Sequence, residues 1–447
     1  METAGGQKVR PAPRGVGGLL RNIGPGVVVS GSVVGSGELL VTTRMGAEVG
    51  FVFLWGVIVA CLVKFFIQIE LGRQALLYGN STVQILDRVA GVRLLNTSWA
   101  AWLCIGGYFA VMIAIIGILG SVVGLMITLV PALPYEVWAV LVFLALSLLL
   151  YRGLYDDLEK MVTLLVAFFS LVVILSLVLV QGTPYAISGS ELLSGLRFAM
   201  PSEGAFVALA VMGSVGATAV ELFMYPYWIR EKGYADFVGP RQDTPEWEER
   251  YRGWMRVVFT DVLVCTSIAL VITCAYYLLG ASILKKMDVL PQGMKVVEQV
   301  SVIFTQSIGE WAYYLFMFGG FCTLFSTLLV FTSSSGRIGV DFLGQIGLVK
   351  GGADSDRRLL RLLQILFPFT WLCFILASRD TPFYLVLVGA NANNLLLLPL
   401  AYGVVYLALR VRPRESMPWW WKAGLLGTVA IIVLFTAVNL YKTWFGG

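Results

Sequence analysis

The sequence predicts an all-α, polytopic membrane protein of eleven spans, arranged as two inverted repeats of five helices followed by one further helix. Three observations predict it. The 447-residue chain is 58% apolar and only 13% charged. Runs of about 20 apolar residues, the length that crosses a hydrocarbon core as a helix, recur from end to end. Spans one and six, five apart in order, are each interrupted by glycines and each carry a carboxylate, the sequence sign of inverted repeats built around two broken helices.

The elements follow in order, each bounded by the charges that orient it. Residues 1–23 are polar, basic and Gly/Pro-rich and read as a cytosolic amino-terminal tail; no small-residue cleavage pattern follows the first apolar segment, so no removable signal is expected. The first repeat, 24–181, has spans at 24–44, 51–78, 97–130, 134–151 and 160–181. An exoplasmic loop covers 182–203. The second repeat, 204–409, has spans at 204–229, 256–284, 311–334, 358–378 and 383–409, with a cytosolic segment at 230–255. Residues 410–447 hold the last span, 419–444. With the amino terminus inside, the tail and the segments 72–99, 152–160, 230–256, 337–361 and 410–422 carry 24 of the 32 Lys and Arg residues. The opposite side carries Arg44, Arg197, Lys285, Lys286, Lys295, Arg379 and Lys442, and Lys64 lies within a span. Lys and Arg favour the cytosolic side, so a plasma (inner) membrane protein with a cytosolic amino terminus and an exoplasmic carboxyl terminus is expected.

The net charge of +5 is then a topology signal, with the lipid bilayer as the partner of the basic loops. No basic cluster interleaved with aromatics points to nucleic acid, and no obligatory protein partner is evident. Cys61, Cys104, Cys265, Cys274, Cys322 and Cys373 share no metal-type spacing and read as small buried apolar groups. Histidine is absent, which removes the commonest acid/base group at neutral pH. No phosphate loop, nucleophile elbow or H-E-x-x-H motif is present. The chain is not expected to be an enzyme, and no cofactor is expected.

The informative positions are those where backbone and charge break the apolar pattern. In span one, Gly31-Ser32-Val33-Val34-Gly35-Ser36-Gly37-Glu38 combines glycines, helix-competing serines and an acid. Such a segment unwinds in a membrane only where it lines a cavity or is buried in protein. In span six, Gly213, Gly216, Ala217 and Thr218 precede Glu221, and Pro226 follows. Close helix packing is the alternative reading of the glycines. A carboxylate at mid-bilayer costs at least about 2.5 kcal/mol, so Glu38 and Glu221 need a cation or a partner, for which Lys64 is the obvious candidate.

In these residues the chain resembles the Nramp divalent-metal transporters. Gly-Pro-Gly at 24–26, the interrupted motif at 35–38 and the following GAEVGFVFLW are similar to the family's first span and loop; YDDLEKMV at 155–162, GAT at 216–218 and DRRLLRLL at 356–363 are similar to later landmarks. The resemblance, from about residue 20 to 410, implies a leucine-transporter-type fold. It also implies a metal site between broken helices one and six. The departures are as telling. The family's Asp-Pro-Gly-Asn becomes Gly35-Ser36-Gly37-Glu38, and its Ala-Thr-Val-Met-Pro-His becomes Ala217-Thr218-Ala219-Val220-Glu221-Leu222. The aspartate, methionine and histidine are gone and two glutamates have arrived. Alignment of span three places Ala114 and Gly117 where the family has acidic residues.

Carboxylates, carbonyls and water suit Mg²⁺, whereas thioethers favour softer ions, and Mg²⁺ dehydrates reluctantly. The expected site is therefore hard, all-oxygen and roomy: Glu38 and Glu221, with Gly35, Ser36, Ala217, Thr218 and Ala219 supplying carbonyls, hydroxyls and space. Asn391 and Asn394 of span ten, three apart and so on one helical face, are candidate amide ligands, with interhelical hydrogen bonding as the alternative. Thr42 and Thr43 would hold water at the outer part of the site or back-bond their own helix. Asp261 and the Lys64/Glu70 pair read as structural ion pairing or gating, and 230–255 as an interfacial helix or a loop that absorbs rocking. The pattern looks like the Nramp-related magnesium transporter branch: a secondary transporter of largely hydrated Mg²⁺, tolerating Mn²⁺, with the cation as substrate and no tight proton coupling. A proton-coupled Mn²⁺/Fe²⁺ symporter and an organic-solute (amino acid) transporter of the same fold are the alternatives.

Overall fold

The computed structural model describes residues 9–23, 35–151, 155–201, 203–349, 353–377, 382–410 and 418–445. Among them, eight helical stretches are long and apolar enough to cross a bilayer: Gly37–Tyr78, Trp99–Leu129, Ala205–Glu231, Pro245–Leu284, Ala312–Gln345, Ser355–Ala377, Pro382–Leu409 and Trp419–Val438. Two shorter apolar helices, Tyr135–Tyr151 and Val166–Gly182, accompany them. Expected spans two to eleven all fall on these helices. Residues 24–34, with the Gly-Pro-Gly, lie outside the described residues.

Local chemistry places the helix ends. Ser98 caps Trp99–Leu129 by accepting the Ala101 N–H. Before it, strands Arg93–Leu94 and Thr97–Ser98 pair antiparallel around Leu95 and Asn96, both at positive φ, as a two-residue hairpin turn requires. Pro245–Leu279 starts behind Thr244 with proline at its first position and Glu246 and Glu248 in its first turn, where an acid meets the positive end of the helix. Residues 245–255 are thus the first turns of span seven's own helix, and only Tyr234–Val238 stands apart as a short helix.

Spans three and ten form the most extensive helix pair. Small residues explain the closeness, because in lipid helices associate mainly through packing. A Cβ on Gly117 would meet the Pro382 carbonyl and the Val386 N–H, and one on Gly389 would meet Ala114. No carboxylate fits at Gly117 in this packing.

Two sequence expectations are corrected. Lys64 and Glu70 are not a pair: six residues are about 600° of helix, so the two side chains leave on different sides. Glu70 is instead held by Arg73, whose Nε donates to Oε2 at 2.7 Å, and by Gln74, whose Nε2 donates to Oε1 at 2.9 Å. Of the six cysteines, Cys373 is exposed on the outside of the bundle, whereas the other five are buried or half-buried. Asp261 is buried and accepts the Tyr225 hydroxyl at 2.9 Å.

Candidate functional site

Both breaks are made by residues that leave the helix for a local reason. In span six, Ala205–Ser214 ends at an extended Val215, and Gly216 takes φ +63°, which side chains with a Cβ rarely adopt. Ala219–Glu231 then starts behind Thr218 through reciprocal bonds: Thr218 Oγ1 accepts the Glu221 N–H at 3.3 Å, and Glu221 Oε2 accepts the Thr218 N–H at 2.6 Å. In span one the described break runs from Gly35 into a π-helical turn, Gly37–Thr42. The wide turn lets hydroxyls reach five residues back: Thr42 Oγ1 donates to the Gly37 carbonyl at 3.1 Å and Thr43 Oγ1 to the Glu38 carbonyl at 3.3 Å. Both threonines back-bond their own helix.

The two breaks touch. A Cβ on Gly37 would land on the Ser214 carbonyl, so only glycine permits this approach. Glu38, wholly buried beside it, accepts the Gly35 N–H at 3.3 Å through Oε2. Its Oε1 accepts the Gly216 N–H at 3.2 Å and the Thr273 hydroxyl of span seven at 3.3 Å. Lys64 of span two, equally buried, donates from Nζ to the Val215 carbonyl at 2.6 Å.

Next to this junction lies a cavity of about 80 Å³, measured as the space open to a water's centre. Of the sequence-predicted site residues it brings together Ser36, Thr218 and Glu221. Gly35, Glu38, Ala217, Ala219, Asn391 and Asn394 are not among its lining residues. Asn391 and Asn394 do share one helical face, and that face meets the first half of span six: Asn391 Nδ2 donates to the Phe206 carbonyl at 3.3 Å and Asn394 Nδ2 to the Leu209 carbonyl at 2.7 Å. Sequence reasoning missed Asn393, Ser334 and Thr327, all of which line the cavity. Asn393 Oδ1 and Ser334 Oγ are buried without a hydrogen-bond partner among the described residues. Buried oxygens are nearly always bonded, so two such atoms on one cavity mark a place for water or a ligand. The Ser333-Ser334-Ser335 run within an apolar span was the available signal. Met224, one turn beyond Glu221, also lines the cavity. The expectation of a purely oxygen lining is corrected, since helical spacing returns a thioether that substitution at Val220 had removed.

Among the described residues, no group of three or more Cys, Asp or Glu side chains forms a metal cage. One carboxylate with neutral oxygens and space suits a cation that keeps much of its water. Toward the end of the bundle that carries residues 230–256 and 337–361 opens a vestibule of about 910 Å³ lined by Tyr227, Arg230, Glu231, Arg337 and Asp341. Trp228 lines the inner cavity, and the Arg337 guanidinium lies 5.5 Å from its ring centre.

A sequence model of the natural resistance-associated macrophage protein-like (Nramp) family matches residues 26–443. No curated protein gives a sequence match. A mutant of the manganese transporter of Eremococcus coleocola superposes with a TM-score of 0.65 at 14% identity, covering 98% of this chain and 91% of that one. MhsT in complex with L-phenylalanine gives 0.53 at 13% identity, covering 98% and 100%. Mhp1, a nucleobase-cation-symport-1 family transporter, gives 0.53 at 12% identity, covering 99% and 96%. At these identities the likeness is one of fold, and the fold is of leucine-transporter type.

Proposed function

The chain belongs to the natural resistance-associated macrophage protein-like family, and from that premise we propose that it is a secondary transporter of divalent cations whose main substrate is largely hydrated Mg²⁺. The observation that carries this reading is the cavity between the two breaks, with Glu221 on its wall and the unpartnered oxygens of Asn393 and Ser334 beside it. Six water oxygens at about 2.1 Å from Mg²⁺ lie within a sphere of roughly 39 Å³. The cavity offers water centres about 80 Å³. Glu221 would act on the ion through its water shell, with Ser36 and Thr218 bonding that shell. Mn²⁺, which the same oxygen donors suit, would be tolerated, and Met224 would give a softer ion a thioether to meet.

Transport is driven by the ion's own gradient and the membrane potential. An inside-negative potential contributes about 2.3 kcal/mol per charge per 100 mV, twice over for a divalent ion. The close packing of Gly117 and Ala114 on span ten supports the absence of a proton relay there. The protein would sit in the plasma membrane with its amino terminus and the vestibule cytosolic. A proton-coupled Mn²⁺ symporter is the second reading, favoured by Met224.

Proteoliposomes containing a Mg²⁺ dye and a pH dye, under an imposed potential, test the proposal. Saturable, potential-driven Mg²⁺ entry without proton movement, abolished by Glu221→Gln and weakened by Asn393→Ala, is expected. Mn²⁺ entry accompanied by protons would establish the second reading, and no divalent entry would overturn both.

A further inference from the structure

One peptide group in the span-six break is gripped at both ends by a basic and an acidic side chain. Its carbonyl, on Val215, accepts the Lys64 ammonium at 2.6 Å; its N–H, on Gly216, donates to Glu38 at 3.2 Å. Lys64 and Glu38 are both wholly buried, and neither lines the cavity. The arrangement joins Lys64 to Glu38 through one peptide, and it ties spans one, two and six together. Thr273 of span seven completes it by donating to the same Glu38 oxygen.

Two physical facts give the ammonium a particular meaning. It sits just past the carboxyl end of Ala205–Ser214, where orphan carbonyls and the negative end of the helix dipole favour a positive charge. In transporters with broken helices, unwound carbonyls and half-helix carboxyl ends are where small coupling cations are held. Here a side chain of the protein fills that place.

We propose that Lys64 is a tethered counter-cation. It occupies, from within the chain, the position that a co-bound monovalent cation would otherwise take at the junction of the breaks. Glu38 is thereby countered without any co-ion. The inference deepens the reading of the same site, but its test uses no divalent cation and no transport, so the two can fail separately.

The test is thermal unfolding of the purified protein in detergent, free of divalent ions, in sodium chloride against choline chloride at equal ionic strength and fixed pH. Wild type and Lys64→Arg should unfold at the same temperature in both salts. Lys64→Met, which leaves the Val215 carbonyl and, across the same peptide, Glu38 without a cation, should gain several degrees in sodium, in a saturable way. Glu38→Gln combined with Lys64→Met should lose that gain. A Lys64→Met protein indifferent to sodium overturns the proposal. If Lys64→Met alone does not fold, a folded, sodium-indifferent double variant supports the proposal, and a double variant that fails in the same way overturns it.

Discussion

Gly37→Ala would force the two breaks apart, and the sign of its effect is diagnostic. In an open helical position, alanine in place of glycine stabilises by about 1 kcal/mol. At Gly37 the new methyl would lie on the Ser214 carbonyl oxygen, with Ser214 Cβ close behind. Carbonyl and methyl need roughly 3.5 Å, so the strands of the break must separate by about 1 Å. That separation takes the Gly216 N–H to Glu38 bond, now 3.2 Å, beyond hydrogen-bonding range. Overpacking costs about 1–3 kcal/mol. Loss of a hydrogen bond to a charged group adds about 1.5–3 kcal/mol. The expected destabilisation is therefore about 2.5–6 kcal/mol. Thermal unfolding in detergent measures it, and Gly37→Ala/Glu38→Leu should be less damaging than the two single effects added, because both remove the same bond. An alanine variant as stable as wild type, or effects that add fully, would refute the close crossing.

Other outcomes follow from the same geometry. Glu221→Gln keeps an acceptor for the Thr218 N–H, so unfolding without metal should stay unchanged while stabilisation by added Mg²⁺ disappears. Thr218→Val removes the cap and should cost about 0.5–2 kcal/mol, recovered in Thr218→Ser. Asn394→Ala should destabilise by about 0.5–1.5 kcal/mol through its lost bond to Leu209, yet leave the Mg²⁺ concentration for half-maximal uptake unchanged, whereas Asn393→Ala should raise that concentration. In the 182–203 loop, the Ser188 backbone N–H, with the Ser188 hydroxyl and Lys286, holds the Glu191 carboxyl below its ordinary value of 4.5. The stabilisation is complete above that value and is lost as the pH falls through the lower, folded one, so Glu191→Gln should flatten the acid limb of the stability profile.

The breaks were legible because glycine, serine and glutamate have no business in a lipid-facing helix. What each side chain does there was less so. Spacing put Glu38 and Glu221 on equal terms, but direction is decided by donors: Gly35, Gly216 and Thr273 turn Glu38 into the junction, and those three converge only in the fold. For Glu221 the T-x-x-E pattern of a capping box was present at 218–221, and its charge drew the reading toward metal binding alone. The shared face of Asn391 and Asn394 was a sound helical inference, but periodicity does not say what a face meets. Asn393, about 100° round the same helix, is the one on the cavity wall. The six-residue separation of Lys64 and Glu70 was readable as about 120° round the helix, and their pairing failed on that count alone.

Access to the cavity follows from how glycine is distributed at the two ends of the bundle. At the end bearing Arg44 and Lys285, Gly46 lies against the Tyr277 carbonyl and Gly280 against the Thr43 carbonyl, so backbones cross with no side chain between them. Arg44 adds a bond to the Pro291 carbonyl at 2.6 Å, and the Tyr277 hydroxyl donates to the Gly50 carbonyl at 2.5 Å while accepting the Phe53 N–H at 2.9 Å. Opening there means parting main chains. At the vestibule end the closure is made of side chains: Arg337 bonds Glu231 at 2.7 Å and lies by the Trp228 ring, and Tyr227 and Ser81 both donate to Asp341, at 2.6 and 2.5 Å. Side-chain rotamers exchange far faster than helices separate. Main-chain contacts therefore close one side and side-chain contacts the other, and on the transport reading proposed above an ion in the cavity would have its readier way out through the vestibule.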